Sequence, residues 1–378
     1  MLKTHEKSSE KLHIKPPEFI VKKFITPVYA CKDCEEIKQA PMPYHPIPKC
    51  SVTIETIANI AVAKYIDGMP LHRQEKMFDR HDIELSRDTM ANWIIAIADK
   101  LKPLVDLLKC KLLNSDYMAM DETYVQVLDE KGRRADQKSF FIVQAREGPP
   151  GKTVAIFNYE KSRAKTVIAD YLYGFKGSLI TDGLAVYDSY CQNLPQISHG
   201  GCMSHCRRNF AKAVKGKKKH NTVAKQMILK IKELFKIENE IKGTSLENIA
   251  HVRKERSKPI FDDIENLLKE NLEAIPKTSL TGAALHYLDS QWSKLTRFLT
   301  EPTLPMHNNH IEQMIRTVAV GRKAWLFSQS EKGAHASAIL FTLLITAREN
   351  GLNPYKYLSE TLHNLGSTEN LENLLPFS

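Results

Sequence analysis

The spacing of apolar positions changes several times along the chain, and each change marks a new kind of element. Between residues 51 and 113 it is helical: Ile54, Ile57, Ala58 and Ala61 fall on one face, and Gly68-Met-Pro70 ends that run. A second helix is expected over Leu71–Arg80, and Ser86 is placed to cap a third over Thr89–Leu107. Two helices across a short break suit a helix-turn-helix with its second helix on DNA, or ordinary helical packing, which is commoner.

From residue 117 the period shortens to that of strands. Tyr117–Asp129, Ser139–Arg146 and Thr153–Tyr159 are separated by the turns Glu130-Lys-Gly-Arg133 and Gly148-Pro-Pro-Gly151, which predicts an antiparallel meander. Lys165–Tyr173 reads as a helix, followed by short strands at Ser178–Thr181 and Gln196–Gly200. This order predicts a mixed sheet flanked by helices, an α/β fold. Helical spacing returns over residues 203–300, at Ile228, Ile231, Leu234 and Phe235 and again across Ile260–Leu268. Another helix opens at Asn308-Asn309-His-Ile-Glu312 and runs to about Val320, and a last long one covers Ala334–Asn350. Residues 1–50 are Pro-rich and read as irregular.

Length and composition narrow the class. A chain of 378 residues suggests two or three structural units, and no apolar run approaches the ~20 residues of a membrane span. The polar start, Lys3–Lys11, is unlike a signal peptide, so a cytoplasmic protein without a membrane partner is expected. Seven cysteines then argue for thiols or metal ligands rather than a disulfide framework. The net charge of +10 is concentrated: Cys202–Lys232 holds ten Lys or Arg and no Asp or Glu. A polyanion is the natural partner of such a block, against the alternative of a solvated helix face.

Three acids stand out as candidate chemistry: Asp121 inside a strand, Asp182 at a strand's end, and Glu312 in the first turn of a helix. A carboxylate in a sheet strand is costly unless it is paired, hydrogen-bonded or bound to a cation. Two strand-borne aspartates and a helix-borne glutamate can hold the hard, oxygen-loving ions of phosphoryl transfer. Each also has a plainer explanation. Asp121 can face water at the strand's end, Asp182-Gly183 is a common turn dipeptide, and Glu312 stands three residues after Asn309 as in a capping box. Cys31-x-x-Cys34 supplies two ligands where structural zinc needs four, and His45 and Cys50 are the nearest additions.

The words around these residues are more specific than their spacing. Met-Asp121-Glu-Thr, Thr-Asp182-Gly-Leu-Ala-Val-Tyr187, Cys202-Met-Ser-His205-Cys-Arg-Arg208-Asn-Phe210, Asn308-Asn-His-Ile-Glu312 and Val320-Gly-Arg-Lys-Ala-Trp-Leu-Phe327 occur in this order. Together they resemble the IS66 family of insertion-sequence transposases, and the likeness extends over roughly residues 20–378. The resemblance implies an RNase H-like catalytic core with an Asp-Asp-Glu triad at Asp121, Asp182 and Glu312 and an all-helical insertion at about 212–300. It also implies two Mg²⁺ (or Mn²⁺) ions, and DNA, both element ends and target, as the partner. Homo-oligomers, accessory proteins of the same element and association with the nucleoid belong to the same expectation. Cys202 and His205 match a C-x-x-H element that supports the site or contacts DNA in related transposases, or is a buried structural pair. Asn308 and Asn309 are expected to support the site as well.

Phosphate contacts are expected from Arg207, Arg208, Lys212, Lys217, Lys218 and Lys219, with Arg316, Arg322 and Lys323 nearer the scissile strand. The expected organisation is a Pro-rich segment at 1–50 with a partial zinc-finger remnant at Cys31 and Cys34, and a helical region at 51–113. A catalytic core at 114–350 and a C-terminal element at 351–378 complete it. Three departures from the family pattern are visible. Met1 falls after the earlier CxxC of longer members, which suggests a shortened N-terminus; Gln313 follows Glu312 where Arg is usual; and Cys206 replaces a small residue. The expected activity is metal-dependent DNA strand cleavage and strand transfer. The alternatives are a silent DNA-binding remnant or a stand-alone RNase H-like nuclease.

Overall fold

Short strands hide from periodicity, and the N-terminal segment shows it. The computed structural model describes residues 8–13, 18–148, 152–192, 194–215 and 221–377, in two units, Met1–Tyr44 and His45–Ser378. In the first unit β1 (Val28–Ala30) pairs antiparallel with β2 (Ile37–Gln39), so the segment expected to be irregular carries a hairpin. Three residues per strand are too few for an alternation to register. Cys31 and Cys34 lie in its turn, closed by the Cys31 N–H on the Glu36 carbonyl (2.9 Å) and the Glu35 N–H on that of Cys31 (3.1 Å).

The second unit begins with α1 (Ile54–Tyr65), α2 (Leu71–Asp79) and α3 (Arg87–Leu113). Ser86 caps α3 as expected, accepting the Thr89 N–H at 3.2 Å. This helix continues past Leu107 and through Pro103, and buries Met90, Trp93, Ile94, Ile97 and Leu101. The sheet follows: β3 (Tyr117–Asp129), β4 (Lys138–Arg146) and β5 (Val154–Glu160) form the expected antiparallel meander. After α4 (Lys165–Leu172), β6 (Gly177–Thr181) joins β3 in parallel; after α5 (Ala185–Cys191), β7 (Ile197–Gly201) joins β6 in parallel. The sheet order is β5-β4-β3-β6-β7. It is a mixed sheet with helical crossovers, as parallel neighbours require. The helix α5 is one that apolar spacing alone did not announce.

A helical block follows: α6 (Met203–Lys215), α7 (Asn221–Ile241), α8 (Leu246–Val252), α9 (Lys258–Asn271) and α10 (Leu280–Leu295). Arg253, in a π-type turn between α8 and α9, is 3% exposed and holds this block to the chain beyond it. Its guanidinium takes both oxygens of Glu238 (2.9 and 2.6 Å). It also donates to the carbonyls of Phe298 (2.9 Å), Glu301 (3.1 Å) and Leu304 (3.1 Å). A buried charge persists only with such partners.

The chain returns to the sheet with α11 (Asn309–Trp325), β8 (Ser328–Ser330), α12 (Glu331–Glu349) and α13 (Pro354–Asn364). β8 pairs in parallel with the far end of β3, Val127 opposite Ser328. The mostly buried α12 lies on β5 and against α3. Its hydroxyls do a strand's work: Thr342 and Thr346 accept the N–H groups of Phe157 (2.9 Å) and Ala155 (3.1 Å). Asn350 continues the pattern, accepting from the Thr153 N–H (2.9 Å) and donating to its carbonyl (2.9 Å). No helix among the described residues is long and apolar enough to cross a membrane.

Candidate active site

Register places the first two acids. In the β3–β6 pair Ala119 is opposite Ile180, the last paired position, so two residues on, Asp121 inside β3 comes level with Asp182 just past the end of β6. A two-residue step keeps both side chains on one face, and neighbouring strands lie about 4.8 Å apart. Each carboxylate is oriented by its own backbone: Asp121 Oδ1 accepts the Glu122 N–H (2.8 Å) and Asp182 Oδ1 the Leu184 N–H (2.9 Å). Asp182 therefore does cap its turn, with one of its two oxygens. Glu122 is differently employed, with one oxygen on Arg163 (2.7 Å) and the other on the Tyr187 hydroxyl (2.9 Å).

Glu312 approaches from α11. Asn308, the residue before the helix, makes no side-chain cap, and the Glu312 carboxylate instead accepts from Arg208 on α6. Its Oε1 is 3.6 Å from His205 Nδ1. The capping-box explanation thus does not describe this side chain. Burial pushes the Asp121 carboxyl up to about 8, and the charges of Asp182, Glu122 and Glu312 add to the rise. Burial also lowers His205, helped by Arg208 and opposed by the charges of Glu312 and Asp182. These mutual effects put the three acids in one electrostatic neighbourhood. They do not form one tight cage: the described group whose ligand atoms all fall within 4.8 Å of one another is Cys202, His205 and Glu312.

Around the acids the helical block supplies walls. Tyr287 of α10 closes on the turn after Asp182, so that a Cβ at Gly183 would sit 2.7 Å from its hydroxyl. Behind Asp182, Thr181 Oγ1 donates to the Asp182 carbonyl (2.9 Å) and lies 2.8 Å from His199 Nε2. His199 Nδ1 is 3.4 Å from Asp188, which receives two hydrogen bonds from Lys294 of α10 (2.6 and 2.8 Å). Burial, with Lys294 close by, lowers His199 to about 4. Beside Glu312 opens a cavity of about 410 Å³ lined by Arg207, Arg208, Lys232, Phe235 and Asn309. Phe235 stacks on His307 with ring centres 5.1 Å apart.

The other expected residues divide. Lys212 and Arg316 are exposed, Arg316 one helical turn beyond Glu312. Lys217, Lys218 and Lys219 lie outside the described residues. Lys323 is exposed, but it and Arg322 stand about 15 Å along α11 from Glu312 at helical rise. Arg322 is engaged by β3, donating to Thr123 Oγ1 (3.1 Å) and the Tyr124 carbonyl and lying 3.6 Å over the Tyr124 ring. Asn308 is buried, its backbone N–H reaches Cys202 Sγ (3.5 Å), and neither end of its amide has a partner among the described residues. Backbone N–H groups of Cys34 and Asp33 lower the exposed Cys31 thiol. Sequence reasoning missed Lys232, Phe235, His199, Asp188 and Lys294. Only Lys232 had a signal, as one more cation in the basic block.

Fold and site together define an α/β protein with acidic side chains just past the point where the parallel pairing of β3 and β6 ends, walled by a cationic helical block. The chain belongs to a family described as the Transposase IS66 family, whose sequence model matches residues 49–336. It is similar to three proteins of Sinorhizobium fredii. The uncharacterized protein y4qI is 31% identical over 99% of this chain and 71% of its own length. The uncharacterized protein y4jD is 31% identical over 99% of this chain and 75% of its own, and y4hP is 27% identical over 99% and 71%.

Proposed function

We propose that this chain is a DNA transposase that cleaves and joins strands at an Asp-Asp-Glu triad formed by Asp121, Asp182 and Glu312, on an RNase H-like core. What supports this reading most is the β3–β6 register, which brings Asp121 level with Asp182, together with the charge of helix-borne Glu312 acting on Asp121. The sheet order, an antiparallel meander continued by two parallel strands, suits such a core. The donor set fits Mg²⁺ or Mn²⁺, which take oxygen ligands and use few carboxylates from the protein. Asp121, Asp182 and Glu312 would be the carboxylates that hold them. When bound, such ions neutralise charge on the reacting phosphate.

The chain's own residues orient and balance the site. The N–H groups of Glu122 and Leu184 fix the two aspartates. Arg208 pairs with Glu312 and balances its charge, and would have to release it for that carboxylate to hold an ion. Arg207 and Lys232 line the adjoining cavity and offer cations to DNA phosphates, a contact that positions the duplex without reading its sequence. The test is nicking and strand transfer with Mg²⁺ on DNA carrying the element's ends. Loss of both in Asp121→Asn, Asp182→Asn and Glu312→Gln is expected. Near-full activity of a natively melting Glu312→Gln would move the third ligand elsewhere.

A further inference from the structure

The tightest set of metal-ligating side chains in the described residues is not the acid triad. Cys202 lies between β7 and α6, where its buried Sγ accepts the Asn308 N–H and faces the N–H groups of Ser204 and His205 at the start of α6. Burial pushes the Cys202 thiol up to about 11, and these backbone donors work against that rise, toward the thiolate that binds metals. His205, one turn into the helix, turns Nδ1 toward Glu312 Oε1, and all three ligand atoms lie within 4.8 Å of one another. Tetrahedral zinc, with bonds of about 2.0–2.3 Å, holds its ligand atoms roughly 3.5 Å apart. A contraction of about an ångström closes the set, within reach of side-chain rotation because His205 and Glu312 are 26% and 25% exposed.

We propose that Cys202, His205 and Glu312 bind a borderline-soft divalent cation of the Zn²⁺ class, and that this ion and the acid triad compete for Glu312. Sulfur, imidazole and one carboxylate form a zinc-type ligand set with a fourth position left open. Mg²⁺ does not take thiolate, so the two metals are sorted by the ligands that Glu312 is combined with. On binding, the Cys202 thiol gives its proton to solvent and the Arg208 guanidinium leaves Glu312. The binding site stands on this geometry alone; only the competition rests on the proposed function.

The experiment is anaerobic titration of the full chain with Co²⁺, in a Cys31→Ser/Cys34→Ser background that removes the hairpin thiols. One equivalent should bind, with a thiolate-to-cobalt band in the near ultraviolet and tetrahedral bands in the visible, both erased by Zn²⁺. Cys202→Ser should remove the near-ultraviolet band. His205→Gln, at a partly buried position, should weaken binding by about a hundredfold or more. Arg208→Gln should tighten it by freeing Glu312, a gain that a merely structural Cys–His pair would not produce. A parent without the thiolate band, or a Cys202→Ser chain that keeps the band, overturns the site. Zn²⁺ should also inhibit Mg²⁺-dependent nicking in the parent and do so less in His205→Gln; equal inhibition overturns the competition. A chain that binds Co²⁺ in this way but cleaves no DNA leaves the site intact and removes the proposed function instead.

Discussion

Asp121 and Asp182 are placed by main-chain hydrogen bonding, Glu312 by side chains. The aspartates stand level because β3 and β6 share a register, and the N–H of a near neighbour orients each one. Glu312 depends on Arg208 and His205, about a hundred residues earlier, and on a preceding loop held by Arg253. A register cannot drift without moving every side chain of the strand to the other face, so that half of the site is rigid. The other half can change partners, and a carboxylate that can change partners is one that a cation can claim.

Substituting the acids tests whether the two halves act as one. Asp121→Asn, Asp182→Asn and Glu312→Gln should each lower Mg²⁺-dependent cleavage on the order of 10⁴-fold, with double variants little worse than singles. Additive losses would mean that Glu312 works apart from the aspartates. Arg253→Met attacks the side-chain half alone. It strands Glu238 and the carbonyls of Phe298, Glu301 and Leu304, so a loss of about 3–5 kcal/mol in denaturant stability is expected. In hydrogen exchange, residues 298–312 should lose protection while β3 and β6 keep theirs; a uniform loss would erase the distinction.

The network behind Asp182 offers a test by pH. His199 is held near 4 in the folded chain against about 6.5 when unfolded, facing Thr181, Asp188, Lys294 and Arg297. Its contribution is therefore complete above about pH 6.5 and falls away as the pH drops toward 4. His199→Gln should flatten the stability curve across that window and leave its slope around pH 8 unchanged. The smallest effect is expected from Arg208→Gln. Arg208 is half-exposed, so the Mg²⁺ concentration needed for half-maximal nicking should fall by no more than about fivefold. A rise would show that Arg208 helps to place Glu312 rather than hold it back.

Much of the sheet was readable from the chain because β3, β4 and β5 are long enough to show their alternation and are punctuated by turns rich in Gly and Pro. Both aspartates were readable for the same reason, since an acid within or ending such a strand breaks its pattern. Glu312 stood out only through the surrounding motif, and its true neighbours could not be inferred. No local period records that α6 lies beside α11. Lys294, Asp188 and His199 meet from three separate elements, and the three-residue β1, β2 and β8 carry no period at all.

The threonine hydroxyls on α12 impose an order on biosynthesis. At about 5–20 residues per second, β5 leaves the ribosome on the order of ten seconds before Thr342 and Thr346 are made. During that interval its outward N–H groups have no helix to receive them, and a neighbouring nascent chain can pair with them as a strand would. The protein is thus most exposed to misassembly while it is still being synthesised. A chain cut short before α12 should aggregate instead of folding into a weakened protein, even though both aspartates would already be in place.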